Sequence, residues 1–325
     1  MTVPRRTVLF LAGSACALPA ALRFARAQTY PSHPVRIIVG FAAGGAGDII
    51  ARLMAQWLSE RLGQQFIVEN RTGAGTNIAT EAVTRASADG YTLLLATAAN
   101  FINATLYEKL SFNFIRDITP IILLAREPNV LVVNPAVPAH SVPEFIALAR
   151  ARPGKITMAS GGNGSPSHVA GELFKMAAGA DLIHVPYRGA GPALTDLLGG
   201  QVQVYFAPMS AAVEYIRAGR LRALAVTTSA RSTALADLPT VSDFVPGFEA
   251  SQYYGIGAPR NTPVDIVAML NAEANAILAN SAVKARLAEL GETVLGGTPS
   301  QYEALIAEET EKWAKVVRVS GAKPD

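Results

Sequence analysis

Val35-Arg36-Ile37-Ile38-Val39-Gly40-Phe41 is a short, mostly apolar run, the pattern of a strand covered on both faces. The pattern then changes. Ala42 to Gly47 are small residues and glycines, and Ile49, Ile50, Leu53, Met54, Trp57 and Leu58 recur at helical spacing until Gly63. A strand, a glycine turn and a helix start follow in order. Phe66 to Glu69 reads as a second strand. The small-residue loop Arg71 to Asn77 opens a helix that runs to about Arg85. Asp89-Gly90 is a turn, Tyr91 to Ala96 a third strand, and Thr97 to Asn100 a further loop. Strands alternating with helices predict a largely parallel sheet with both faces covered, in which ligands sit at the carboxyl ends of the strands.

After an apolar strand segment from Asp117 to Asn134, the same order of elements restarts. Ser141 with Pro143 opens a helix, and Ile156 to Ala159 is a strand. Ser160-Gly161-Gly162-Asn163-Gly164-Ser165-Pro166-Ser167-His168 then leads into a helix carrying Val169, Leu173 and Met176. Ser165 as N-cap with Pro166 next is a helix start. Ile183 to Pro186 is followed by the turn Tyr187-Arg188-Gly189 and a short helix to Leu198; Val202 to Phe206 and Leu221 to Val226 are strands. From about Tyr253 the chain returns to its first half, with helices near 263–279 and 299–319 closing it. The expectation is an α/β protein of two lobes. Residues 28–130 plus 251–325 form a discontinuous first lobe, 131–250 form the second, and two chain crossings act as a hinge.

Residues 1–27 do not belong to this pattern. Arg5-Arg6, an apolar run from Val8 to Leu18 and Ala25-Arg26-Ala27 have the layout of an export leader cleaved before Gln28. The paired arginines also fit a twin-arginine signal. The leader holds four arginines (5, 6, 23 and 26) and no acid, so the 28 basic against 25 acidic residues of the whole chain become 24 against 25 after cleavage. The basic isoelectric point near 9.0 therefore belongs to the leader, and the electrostatic case for a nucleic-acid partner goes with it. Cys16, the only cysteine, leaves too, which removes disulfide and thiol chemistry. The remaining chain is expected in the periplasm, as a monomer.

The candidate chemistry lies in the two glycine loops. Each precedes a helix whose first N–H groups have no partner inside the helix, which makes it a place to hold an anion. Phe41, Ala43, Gly44 and Gly45 in one loop and Ser160, Gly162, Asn163 and Ser165 in the other are expected to grip a carboxylate. Asp48 would repel that anion, so its expected task is to order the first loop. Thr76, Thr97 and Asn100 are neutral donors and equally good turn formers. Arg188 has a fork suited to a carboxylate, although arginines in such turns also face solvent. His168, at a helix start, is biased toward neutrality and could donate to the ligand or serve the core. Two enzyme readings compete. Gly45-x-Gly47 imitates a dinucleotide fingerprint, but Ile50 stands where the third glycine belongs. Ser165 and His168 suggest a hydrolase, but no G-x-S-x-G elbow surrounds the serine. His33, His140 and His184 are scattered without carboxylates, so neither a metal nor another cofactor is expected.

Several motifs carry a resemblance that covers essentially the whole chain after the leader. They are Pro34 to Val39 with Gly44-Gly45 and Asp48, Glu69-Asn70-Arg71 before Gly73-Ala74-Gly75, Asp89 to Leu94, and His184-Val185-Pro186-Tyr187-Arg188-Gly189 through Asp196 to Val202. Together they resemble the Bug-type receptors, the TctC-like extracytoplasmic solute receptors of tripartite tricarboxylate transporters. The resemblance implies a type II periplasmic-binding-protein (Venus flytrap) fold with the ligand cleft between the lobes. It also implies a small carboxylate ligand held by backbone groups of the two loops, partly through water, and delivery to the permease subunits of such a transporter. Thr76, Thr97 to Asn100 and Tyr187 to Gly189 would complete the cleft. Many relatives carry an aspartate after the strand ending at Phe206, a counter-charge for an amino group. Ala207 stands here, which favours a mono-, di- or aromatic carboxylate without an ammonium group. Phe41, Phe101, Tyr187 and Phe206 could supply an apolar wall. A receptor feeding a sensor kinase fits the same residues.

Overall fold

The computed structural model describes residues 30–320 and 322–324. The expected leader and its cleavage site lie outside them. The chain alternates as the hydrophobic pattern predicts. Strand β1 (Val35–Val39) leads to α1 (Ala46–Leu62), β2 (Phe66–Asn70), α2 (Asn77–Thr84) and β3 (Thr92–Thr97). Then come α3 (Ala98–Leu106), α4 (Phe114–Asp117) and the long β4 (Ile118–Val133). The second half runs α5 (Val142–Ala151), β5 (Ile156–Ser160), α6 (Pro166–Ala178), β6 (Leu182–Pro186), α7 (Ala190–Leu198), β7 (Val204–Pro208), α8 (Met209–Arg217) and β8 (Arg222–Val226). After β9 (Ser251–Pro259), the helices α9 (Val264–Ala279) and α10 (Ser281–Glu289), the short β10 (Thr293–Val294) and α11 (Pro299–Ser320) complete the chain. Among the described residues, no single helix is long and apolar enough to cross a membrane.

The strands form one curled mixed sheet in the order β2-β1-β3-β9-β4-β7-β5-β6, with β8 and β10 also on β4. The parallel character expected from the alternation holds within β2-β1-β3 and within β6-β5-β7. β9 and β4 enter antiparallel, because they carry the chain between the halves. β4 belongs to both lobes. Its first part, to Pro128, pairs with β9, and Asn129 to Val133 lies between β7 and β8. Pro120 sits where the β4–β9 register shifts, an irregularity of the kind at which proline is tolerated in a sheet. At the crossing, Thr227 fastens both connections. Its Oγ accepts from Asn129 N at 2.9 Å and donates to the Ala250 carbonyl at 2.6 Å.

Three apolar cores hold the layers. Val35, Ile37 and Val39 of β1 pack with Ile50, Met54 and Leu58 of α1 and with Leu270, Ala274 and Ile277 of α9. Val130, Val132 and Tyr205 pack against α7 and α8. The third core spans the lobes. Ile38, Leu94 and Phe101 from the first half join Phe145, Met158 and Phe174 from the second, together with Tyr302, Ile306, Trp313 and Val317 of α11. α11 thus straps the two halves together by packing on α3, α6 and β4. The left-handed Gly63 ends α1, its N–H returning to the Ser59 carbonyl.

Two local expectations change. The strand expected to end at Phe206 continues through Ala207 to Pro208, so Ala207 is a buried strand residue paired with Val130 and not a loop position. Thr97 to Asn100 is not an open loop. Thr97 caps α3 in a reciprocal box with Asn100, whose side chain accepts from Thr97 N at 2.8 Å.

Candidate functional site

Four helix starts converge on one inner cavity between the lobes. Its lining comes from Phe41, Gly45, Ala46 and Gly47 at α1, and from Gly161, Ser165, Pro166 and Ser167 at α6. Ala190 at α7, Pro208 at α8 and, from the strands, Tyr205, Gln252 and Tyr254 complete its narrow, partly open lining. The local sequence explains why donors point there. The N-cap of α1 is Gly45 and that of α7 is Gly189, neither with a side chain to accept from the first turn. These N–H groups remain available to an anion, and the aligned peptide dipoles add partial positive charge. The α6 start is organised differently. Ser165 Oγ accepts from His168 N at 3.3 Å and lies 3.0 Å from Ser167 Oγ, which in turn accepts from Gly161 N at 3.0 Å. Among the described residues, the lining has no Lys, Arg, His, Asp or Glu side chain.

A wider mouth adjoins the cavity and shares Phe41 and Gly161 with it. It is lined also by Gly40, Gly73 to Thr76, Gly162 and Pro186 to Arg188. The lobes touch at its rim. Ala42 N donates to the Arg188 carbonyl at 3.0 Å. Here the backbone is tightly coiled: Ala74, Gly75 and Thr76 all have left-handed φ angles of 46°, 58° and 85°.

The expected site residues therefore fall into three groups. Phe41, Gly45 and Ser165 line the inner cavity. Thr76, Gly162, Tyr187 and Arg188 line the mouth. Ala43, Gly44, Asp48, Thr97, Asn100, Ser160, Asn163, His168, Gly189 and Ala207 line neither, although Gly189 caps α7 at the rim. Phe101 and Phe206 are buried in the shared core, away from any apolar wall. The Tyr187 hydroxyl is engaged, donating to Asp196 Oδ2 at 2.7 Å. Ser160 Oγ lies 2.6 Å from His184 Nε2. The lining residues that sequence reasoning passed over include Gly161 and Ser167, both inside a loop already singled out. Pro208, Tyr205, Gln252 and Tyr254 arrive through strand pairing across the lobes, which leaves no local pattern.

Asp48 orders the first loop. It is buried and accepts from Gly44 N at 3.0 Å, Arg52 Nε at 2.9 Å and Asn70 Nδ2 at 3.0 Å. Burial alone would raise its pKa, but the Arg52 and Gly44 hydrogen bonds, with Asn70, outweigh it and hold the carboxyl below its usual range. A depressed folded-state pKa means stability that is present above the unfolded value of 3.8 and lost as pH falls through the folded one. Asp48→Asn is therefore expected to cost about 1–2 kcal/mol at pH 7, with the gap to wild type shrinking below about pH 4. Urea unfolding of both proteins at neutral and acid pH checks this, and a pH-independent gap would refute it.

His168 does not form a hydrolytic pair with Ser165. Its Nδ1 accepts from Gly164 N at 3.2 Å, its Nε2 faces Glu172 at 4.0 Å, and its ring stacks on His184 with centroids 4.0 Å apart. Burial, then the neighbouring His184 and Lys175, push it down to about 3, so it stays neutral.

The TctC sequence profile, described as the tripartite tricarboxylate transporter family receptor, matches residues 50–321. The chain is 39% identical over 318 residues to the protein BugT of Bordetella pertussis, covering 97% of this chain and 96% of that one. Its fold is similar to that of R. palustris Rpa4515 solved with adipate (TM-score 0.89, 37% identity, 91% and 100% of the two chains covered). It is also similar to MatC from Rhodopseudomonas palustris with bound malate (TM-score 0.85, 33% identity, 89% and 100% covered). Two lobes closing on a cavity of helix starts, and these matches across nearly the whole length, place the chain among the periplasmic solute receptors of the TctC (Bug) family, which bind substrates and do not transform them.

Proposed function

We propose that this receptor captures a small carboxylate without an amino group in the inner cavity and presents it to the permease of a tripartite tricarboxylate transporter. The two lobes are taken as residues 28–130 with 251–325, and 131–250. The observation that carries the reading is the pair of uncapped helix starts after Gly45 and Gly189, which lie side by side and bring Gly45 to Gly47 and Ala190 to the lining of an uncharged cavity. An anion is neutralised there by backbone donors alone. The absence of a carboxylate among the described lining residues leaves an ammonium group with no direct counter-charge. That adipate and malate occupy relatives of the same fold supports the ligand class. Three or four charge-assisted hydrogen bonds of roughly 1.5–3 kcal/mol each support micromolar affinity, near −8 kcal/mol after ordering costs.

A thermal-shift screen of the leaderless protein against adipate, malate, benzoate, aspartate and glutamate tests this. A non-amino acid is expected to raise the melting temperature with concentration, because it stabilises the folded form by about 2.7 kcal/mol at a hundred times its dissociation constant. A larger shift from aspartate or glutamate would reverse the inference drawn from the uncharged lining.

A further inference from the structure

Behind the cavity lies a buried acidic pair to which anion capture by backbone donors assigns no role. We propose that Glu127 is the positioning residue of the ligand cavity: it holds Tyr254 and the start of α8 in place, and takes up a proton when an anion enters. This rests on the inner cavity being the anion site proposed above.

Glu127 is fully buried on β4, immediately before the crossing between the lobes. One oxygen accepts from the Tyr254 hydroxyl at 2.5 Å and the other from Ser210 N, in the first turn of α8, at 2.5 Å. Tyr254 lines the cavity, and so does Pro208, the N-cap of α8. Glu127 therefore braces two walls of the cavity from behind, with a single side chain between its carboxyl and the ligand space. Its companion is Glu292, in the segment after α10, which is 5% exposed. Neither Glu292 oxygen has a donor among the described residues. Two ionised carboxylates have no proton to share. A proton on either one makes a hydrogen bond between them and removes the repulsion.

The titratable groups facing the pair are Tyr254 from β9, Tyr205 from β7 and, at the outer side of Glu292, Lys284 of α10. Both tyrosines are held protonated by burial and by the nearby Glu127 charge. Burial pushes Glu127 up to about 7, against the opposing hydrogen bonds from Tyr254 and Ser210. Burial, then the Glu127 charge, raises Glu292 further. Burial and mutual repulsion thus favour one proton shared between the two carboxyls and leave the second carboxyl biased toward taking up another. A ligand carboxylate arriving one side chain away repels the remaining charge, and little water intervenes to screen it. Binding then raises the affinity of Glu127 for its proton. By linkage, ligand affinity rises as pH falls through the neutral range and declines as pH rises.

Calorimetric titration of the leaderless protein with adipate, in buffers of different protonation heat at pH 7 and pH 8, counts the protons. The expected result is net uptake approaching one proton, with affinity changing up to about tenfold per pH unit. Glu127→Gln, an isostere with no proton to gain, is expected to bind with no uptake and no slope. Infrared spectra of the ligand-free protein give a second readout. A protonated-carboxyl band is expected to persist at pH 8 and should be lost there in Glu292→Gln, which removes the acid that holds the shared proton and leaves Glu127 ionised. A wild-type protein that binds adipate without proton uptake, or that lacks the infrared band, would overturn the proposal. Failure of every acid in the thermal screen to bind would sink the anion cavity and this proposal with it. The infrared band, which needs no ligand, tells that failure apart from an absent proton.

Discussion

Replacing Gly75 with alanine is expected to weaken carboxylate binding about 100-fold, close to 2.7 kcal/mol, while the protein stays folded. Gly75 sits at the mouth of the cleft with φ +58°, and a Cβ there would stand 2.5 Å from the Asn163 main-chain oxygen of the opposite lobe. A side chain could swing aside, but a backbone carbonyl in the loop before α6 cannot. The lobes must separate to admit the methyl group, and closure brings the two helix-start donors together. The left-handed conformation adds about 1–2 kcal/mol of strain in any state. Gly63→Ala isolates that second cost. Gly63 is also left-handed, at φ +71°, with nothing within 4 Å of an added Cβ, and it lies at the far end of α1. Calorimetry of the two variants with adipate should show a large loss for Gly75→Ala and near-normal affinity for Gly63→Ala. Equal losses would mean that strain, and not blocked closure, is responsible.

The largest effect on stability is expected at Trp313. Its indole is fully buried in the core shared by both lobes, and its Nε1 donates to Glu309 Oε2 at 2.8 Å. Trp313→Ala empties that space and should cost about 3–5 kcal/mol. Glu309, 4% exposed, would lose the indole donor and keep Lys312. At roughly 1.6 °C per kcal/mol for a chain of about 300 residues, the melting temperature should fall by about 5–8 °C. Trp313→Phe should keep most of the packing and lose the N–H, a cost of about 1–2 kcal/mol. Urea denaturation followed by circular dichroism measures both, and a loss below about 1 kcal/mol for alanine would show that the site collapses around the gap.

What could be read from the chain and what could not divide along sequence distance. The β1–loop–α1 unit was legible because each of its signals is local: the apolar run, the glycines, the helical spacing and Gly63 as terminator. The same holds for the Ser165-Pro166 start of α6. The role of Asp48 followed from the sign of its charge, and its three donors agree with that. Thr97 and Asn100 were misplaced as loop residues because a capping box looks like a turn until the helix behind it is known. His168 is fixed by Gly164 N–H and by stacking on His184, a strand neighbour brought in by β6. Tyr205, Gln252 and Tyr254 meet at the cavity only because β4 places β7 and β9 end to end along one strand. The acidic pair could not have been foreseen, since Glu127 and Glu292 are joined only by the folded sheet and α10.

β4 also limits how the molecule can be taken apart. Its 16 residues pass from one half of the sheet to the other without a loop. A fragment spanning 131–250 would keep only Leu131 to Val133 of the strand that separates β7 from β8, and the complementary fragment would lose half of the apolar core under α11. Neither lobe is a module that can be borrowed alone. A split version for reporter assays needs its cut at a surface turn such as Gly219, which is exposed and has nothing packed against it. The intact β4 would then serve as the template on which the two pieces reassemble.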